Sequence, residues 1–232
     1  MELSRNQLKY IAAITMILDH IGAFLLPATH PVCFLFRTVG RLTMPIMCYF
    51  LAEGFQRTSS RKKYLLRLLL CAFISQPAYA CVHHQEHLLT KLNVIFTLLL
   101  SFLVLNAYCK ISNSAVKWCA ILMLILVSSW GDWGIIAPVW VLLFYSQDGD
   151  THKKIMSYCV ISAVQVIMGI QSCLSDQLPW YTQLWQLGLY LFPPMLRLYH
   201  RKNNQIHPFH KWFFYVLYPL HLFILALFIA QS

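Results

Sequence analysis

Asp19 and His20 stand side by side in LKYIAAITMILDHIGAFLL, residues 8–26, where Lys9 is the only other charged residue. An imidazole next to a carboxylate in a poorly hydrated setting can move protons at neutral pH. Arg37 and Arg41, four residues apart, fall on one helical face and can neutralise that carboxylate or stabilise a developing oxyanion. With such partners His20 can take a proton from an attacking amine or hydroxyl, or carry an acyl group as a transient nucleophile. That is the outline of acyl transfer. The same groups also suit a proton relay in a transporter, and Asp19 with an arginine can equally be a structural ion pair.

The chain around these residues is apolar. Of 232 residues, 59% are hydrophobic and only 11% charged, with a mean hydropathy of +0.58; soluble domains carry about 25% charged residues. The expected fold is an all-α, polytopic transmembrane helical bundle, one membrane-embedded domain over residues 1–232. Nine segments are long enough to span or nearly span: 8–28, 32–56, 64–82, 92–109, 116–130, 134–146, 155–174, 183–199 and 212–230. About 20 residues cross a hydrocarbon core, so the fifth and sixth are short. No small-residue cleavage site follows the first run, which is therefore expected to act as its own insertion signal.

The formal charge of +10 does not point to nucleic acid, because the basic residues fall in short clusters between apolar runs. With the N-terminus cytoplasmic, fifteen of the eighteen Lys and Arg lie on the inner side, among them Lys154, Arg201, Lys202 and Lys211. Lys91 alone faces outward, while Arg37 and Arg41 sit inside the second span. This is the positive-inside pattern of a multi-pass protein of the cytoplasmic membrane. The eight cysteines are scattered without CxxC or Cys/His ligand spacing, which argues against a metal site and for apolar packing.

Depth follows from a rise of about 1.5 Å per residue. Asp19 and His20 lie near mid-membrane, and Arg37 and Arg41 in the outer half. Gln76 precedes a break expected at Pro77. Asn93 and Thr97 share a face, Asp132 sits in the WGDWG turn, and His221 returns to mid-membrane after Pro219. A polar cavity opening outward from Asp19 and His20 would use Arg37, Arg41, Gln76, Asn93, Asp132 and His221 to bind substrate. Each also has a structural reading: hydrogen-bond glue for Asn93 and Thr97, relief of backbone carbonyls for Gln76, packing for His20 and His221. Glu53 and Arg57, four apart, are expected to form a structural pair. Lys154 is expected on the cytoplasmic side, so that Arg41→Ala, which alone would leave a buried charge without its partner, should do more damage than Lys154→Ala.

Six ordered blocks are similar to the TraX family: LKYIAAITMILDHIG, RTVGRLTMPIMCYFLAEGF, RKKYLLRLLLCAFISQPAY, NVIFTLLL, GDWGIIAPVWVLLFY and FFYVLYPLHL. The resemblance runs almost end to end, weakest in 98–128 and 146–205. That family is named for a conjugation protein that acetylates the N-terminus of pilin. The resemblance implies a membrane N-acetyltransferase that takes acetyl groups from cytosolic acetyl-CoA; Asp19 and His20 match the family's DH motif, and their depth and charge make them the expected catalytic pair. In such an enzyme Arg57, Arg61, Lys62, Lys63 and Arg67 would meet the phosphates of the coenzyme. The acceptor, a pilin-like peptide amine or a cell-surface amine or sugar, would enter from the outer side, among membrane lipids. The competing expectation is a proton-coupled transporter of a small solute.

Overall fold

The computed structural model describes residues 3–177, 179–199 and 208–231. Arg201, Lys202 and the Lys211 side chain, three of the cations assigned to the inner face, lie outside them. The described residues are helical, with two isolated backbone bridges and no strand. Three helices are long and apolar enough to cross a membrane: Arg61–Val82, Thr151–Ser175 and Trp212–Gln231. The protein is an all-helical membrane protein.

Its contacts divide into two compact units, one from 1–47 and 147–205, the other from 48–146 and 206–232. In the first, α1 (Arg5–Phe24) begins at a capping box, with the Ser4 hydroxyl accepting from the Gln7 amide and the Gln7 side chain accepting from the Ser4 amide. The second helix, α2 (Pro31–Gly40), starts with proline at its first turn, where no amide is needed, and with the His30 ring as acceptor for the Val32 amide. It stops at Gly40. The Arg41 and Leu42 amides bond back to Thr38 and Val39, and α3 (Thr43–Arg57) starts afresh. The single helix expected over 32–56 is therefore two, broken beside Arg41.

Gly40 explains the closeness of α1 and α2. A Cβ there would collide with the Asp19 side chain. Gly22, one turn further along α1, similarly lies under Phe36, and its carbonyl accepts from the Cys33 thiol at 3.1 Å. Only small residues let the two backbones approach at this point.

The first unit is completed by α8 (Thr151–Ser175), a 3₁₀ helix (Trp180–Leu191) and α9 (Phe192–Leu198). The segment expected to span at 183–199 is thus mostly 3₁₀ rather than α. At three residues per turn, Thr182, Trp185, Gly188 and Leu191 align on one edge. Gly188 sets that edge against the backbone of α2, where a Cβ would overlap the Thr38 carbonyl. Tyr158 on α8 holds the other side, donating its hydroxyl to the Leu189 carbonyl at 2.9 Å.

The second unit contains α4 (Arg61–Val82), α5 (Val94–Lys110), α6 (Ser114–Ser128), α7 (Ile136–Ser146), α10 (Pro208–Gln231) and the larger part of α3. Its core is aromatic. Phe102 meets Phe55 and Tyr64 edge-on at 5.0 and 5.1 Å, and Tyr49 meets Phe144 at 5.7 Å. In hydrocarbon such contacts act through close packing rather than water exclusion. The fourth helix runs straight through Pro77, where a break was expected. Proline is tolerated in such helices when neighbours supply donors near the freed carbonyl; here the Asn93 amide donates to Ala72, next to the Phe73 carbonyl that Pro77 cannot serve.

Gly40→Ala should destabilise the protein by about 1–3 kcal/mol, the usual cost of overpacking. Gly54→Ala should cost less, because its Cβ would meet only the movable Tyr64 ring. Thermal unfolding of both variants in one detergent checks the order.

Candidate active site

The centre of the first unit is the Asp19 carboxylate. Arg41 donates from Nη2 to both of its oxygens, at 2.8 and 2.7 Å, and Arg37 donates from Nη1 to Oδ1 at 3.1 Å. Arg41 ends α2 and its side chain is 9% exposed; Arg37, one turn earlier, is 23% exposed. Both guanidiniums also lie over the Trp185 ring, with Cζ at 4.3 and 4.5 Å from its centroid. Planar guanidinium suits this combination of carboxylate fork and aromatic face better than ammonium does. The Asp19 carboxylate thus holds two guanidiniums at once, one of them nearly buried.

His20 does not join that triad. Asp19 makes its bonds to the arginines, and no Asp19–His20 hydrogen bond is present. Successive side chains on a helix diverge by about 100°, which carries the imidazole to another face. There Nδ1 lies 2.8 Å from the Met16 carbonyl oxygen. A carbonyl can only accept, so Nδ1 carries the proton and the lone pair of the neutral ring belongs to Nε2. The ring is oriented by its own helix rather than by the neighbouring carboxylate.

Four other predicted residues lie in the second unit. Asn93 caps α5 through the Ile95 amide, and its Nδ2 donates to Gln76 Oε1 at 2.9 Å as well as to Ala72. Gln76 Nε2 donates to the Leu88 and Lys91 carbonyls at 2.6 and 2.9 Å, while its Oε1 also accepts from the Asn93 amide. The two side chains thus pin the 83–93 loop to α4. Asp132 follows the turn after α6: its amide donates to Leu92, and its carbonyl accepts from the Thr97 hydroxyl at 2.7 Å. His221 donates from Nδ1 to the Leu217 carbonyl and packs against Tyr218.

Among the basic residues near the start of α4, Arg57 pairs with Glu53 at 3.2 Å, as their spacing predicts. Arg61 lies over Phe55 at 4.1 Å and Arg67 over Tyr64 at 5.5 Å. Lys62 and Lys63 are exposed. Lys154, too, is a buried charge with a partner: its side chain is 5% exposed and pairs with Asp148 at 3.6 Å. A buried cation with a partner is costly to disturb, so it cannot serve as the indifferent control for Arg41. No group of three or more His, Cys, Asp or Glu able to hold a metal is found among the described residues.

The family model described as TraX protein matches residues 4–229. The chain belongs to the TraX family. Over 233 residues it is 28% identical to the protein described as "Probable fimbrial assembly protein FimC, serogroup H1" of Dichelobacter nodosus, covering 97% of this chain and 95% of that one. An uncharacterised protein of Rickettsia prowazekii (strain Madrid E) is 25% identical over 164 residues, 68% of this chain and 61% of that one. No solved structure matches. The TraX match takes in the arginine triad, His20 and Trp185 alike.

Trp185 is the residue that sequence reasoning missed. The 3₁₀ backbone of WYTQLWQLGLYL places it on one edge with Gly188, a geometry that its residue types do not mark. Two outcomes follow from this geometry. Arg41→Ala should destabilise more than Arg37→Ala, approaching the 3–5 kcal/mol or so of a broken buried pair; equal melting temperatures in detergent would refute that ranking. Gln76→Ala should free the 83–93 loop, seen as faster amide exchange and proteolysis there, with the Asp19 triad untouched.

Proposed function

We propose that this protein is a membrane N-acetyltransferase that moves an acetyl group from acetyl-CoA to an amine, with a pilin N-terminus as the acceptor that the fimbrial relative suggests. The observation that carries the reading is the fixed His20 tautomer, its Nε2 able to take a proton, on the helix whose Asp19 gathers two guanidiniums. The amine nitrogen attacks the thioester carbonyl as Nε2 removes its proton. The tetrahedral oxyanion is met by the guanidiniums of Arg37 and Arg41, and collapse breaks the C–S bond. The thiolate of coenzyme A then takes the proton from His20. Cationic donors favour this anionic transition state over the neutral thioester, which is the differential binding that catalysis needs.

The donor's phosphates would be held at the start of α4. Arg61, Lys62, Lys63 and Arg67 occupy its first two turns, with no acidic residue in the first. Cations there oppose the helix dipole and gain nothing for the helix itself. A polyphosphate would relieve both. In this reading the N-terminus is cytoplasmic, about nine segments cross the cytoplasmic membrane, and the donor approaches from the basic side. Asp19 acts by placing the arginines rather than by touching the imidazole.

The test is purification in detergent and incubation with labelled acetyl-CoA and a peptide amine. Label should pass to the peptide with release of free coenzyme A, and His20→Ala should lower turnover by at least about 100-fold, the lower range of general-base catalysis. Reversing Lys62 and Lys63 to Glu should raise the donor KM with kcat little changed. Normal turnover in His20→Ala would overturn the assignment of the base. Proton-driven solute uptake into vesicles, without any need for thioester, would favour the transporter.

A further inference from the structure

The second unit collects cations at one end without carboxylates to balance them. Arg57 pairs with Glu53, but Arg61, Lys62, Lys63, Lys110 and Lys117 pair with no Asp or Glu among the described residues. Between Glu53 and Asp132 the only acidic residue is Glu86, in the 83–93 loop beyond the far end of α4.

Two of these cations are drawn onto rings. Arg61 Cζ stands 4.1 Å from the centroid of Phe55, which is 1% exposed. Lys117 Nζ stands 5.7 Å from the centroid of Tyr108. The rings beneath them are themselves joined. Phe55 meets Tyr145 at 5.6 Å, Tyr145 meets Tyr108 at 6.1 Å, and Tyr108 meets Trp118 at 6.4 Å. The Tyr145 hydroxyl also lies 3.1 Å from the Cys109 sulfur. One row of packed rings therefore ties together the ends of α3, α5 and α7 and the starts of α4 and α6.

Lys62 and Lys63 are exposed, as cations that only set topology should be. Arg61 and Lys117 are half-buried against rings instead. A ring face replaces part of a cation's hydration, and the rest of the loss is unfavourable unless an anion meets it. At the open end of the row Trp118 is 48% exposed, next to Lys117 in the first turns of α6. A tryptophan at a membrane interface needs no ligand by itself. Here it adjoins one fixed cation and continues a packed row to a second, which is the pattern of a stacking surface with phosphate partners.

We propose that Trp118, Lys117 and Arg61 form a binding site for an adenine nucleotide that carries more than one phosphate. The base stacks on Trp118, and the two cations take the phosphates. The site makes and breaks no bond. That the base is adenine rests on the acetyl-transfer reading, in which the ligand is the nucleotide end of the donor. The reacting thioester lies at the other end of that molecule's flexible arm, so the site is complete within the second unit. Its affinity can be measured apart from turnover.

The experiment measures equilibrium binding of labelled adenosine diphosphate to the purified full chain in detergent at constant ionic strength. Coenzyme A, inorganic pyrophosphate and phosphatidylglycerol micelles serve as competitors. The nucleotide should bind saturably, and coenzyme A should displace it at lower concentration than pyrophosphate or the lipid. Trp118→Leu should weaken binding by at least about fivefold, the low end of what a stacked base loses with its aromatic partner, whereas Trp118→Phe should keep most of the affinity. Lys117→Gln should weaken it as well. Neither side chain is buried, so these variants should melt with the native chain. Bound nucleotide should also slow maleimide labelling of the exposed Cys109. No saturable binding, an unchanged affinity in Trp118→Leu, or pyrophosphate as effective as coenzyme A would each overturn the proposal. Displacement by phosphatidylglycerol as effective as that by coenzyme A would overturn it too, by making this a site for lipid headgroups. If the nucleotide binds as described but acetyl-CoA is never consumed, the site stands and the transfer reading falls. If transfer occurs with donor KM unchanged in Trp118→Leu and Lys117→Gln, the reverse holds.

Discussion

The Asp19 carboxylate between two guanidiniums is the constraint on which the first unit depends. In a medium of low polarity an ion pair is held more strongly than in water: at a separation of about 4 Å, about 4 kcal/mol at an effective dielectric near 20 against about 1 in water. Holding two arginines on one carboxylate brings the end of α2 against the middle of α1, and that approach is possible only because residue 40 is glycine. Ending α2 there also frees Arg41 to bond as a helix cap while its side chain turns inward. The ion pair, the glycine and the helix break are one feature seen at three levels.

The same arrangement assigns unlike tasks to neighbours in the sequence. A carboxylate beside a histidine invites the idea that the first orients the second. Here the helix geometry prevents it: Asp19 serves the arginines, and the Met16 carbonyl fixes the imidazole. The imidazole is oriented by a backbone dipole, while both guanidiniums are gathered on Asp19 and backed by the Trp185 ring.

Much of this was legible in the residues. The cost of charge in an apolar run, with Arg37 and Arg41 four apart, led directly to Asp19 as their partner, and Glu53 with Arg57 followed from the same spacing. Hydropathy, however, counts apolar length and is blind to backbone type. It therefore joined α2 to α3 across Gly40 and gave no hint that 180–191 is 3₁₀, so Trp185 went unnoticed. Lys154 was misplaced for a related reason: charge in a loop reads as exposed, whereas Asp148 six residues earlier allows it to be buried. Gln76 and Asn93 are polar, buried and close, as expected, but Gln76 gives its amide to carbonyls of the 83–93 loop and Asn93 gives its own to Ala72 of α4 and to Gln76. Sequence marks such a residue as polar and buried without saying which carbonyl will claim it.

The two units commit their buried polar groups differently. In the first, Asp19, Arg37, Arg41 and Trp185 converge on one point, where charge is held by charge and by an aromatic face. In the second, Gln76, Asn93 and Thr97 are committed to α4, the 83–93 loop and the turn at Asp132. Neutral amides and hydroxyls can be satisfied by carbonyls alone, whereas charged side chains in hydrocarbon are kept only where other groups match them. The first cluster is therefore the one whose residue types a purely structural role explains least, because well-packed apolar residues of similar volume often replace a buried ion pair at no cost in stability.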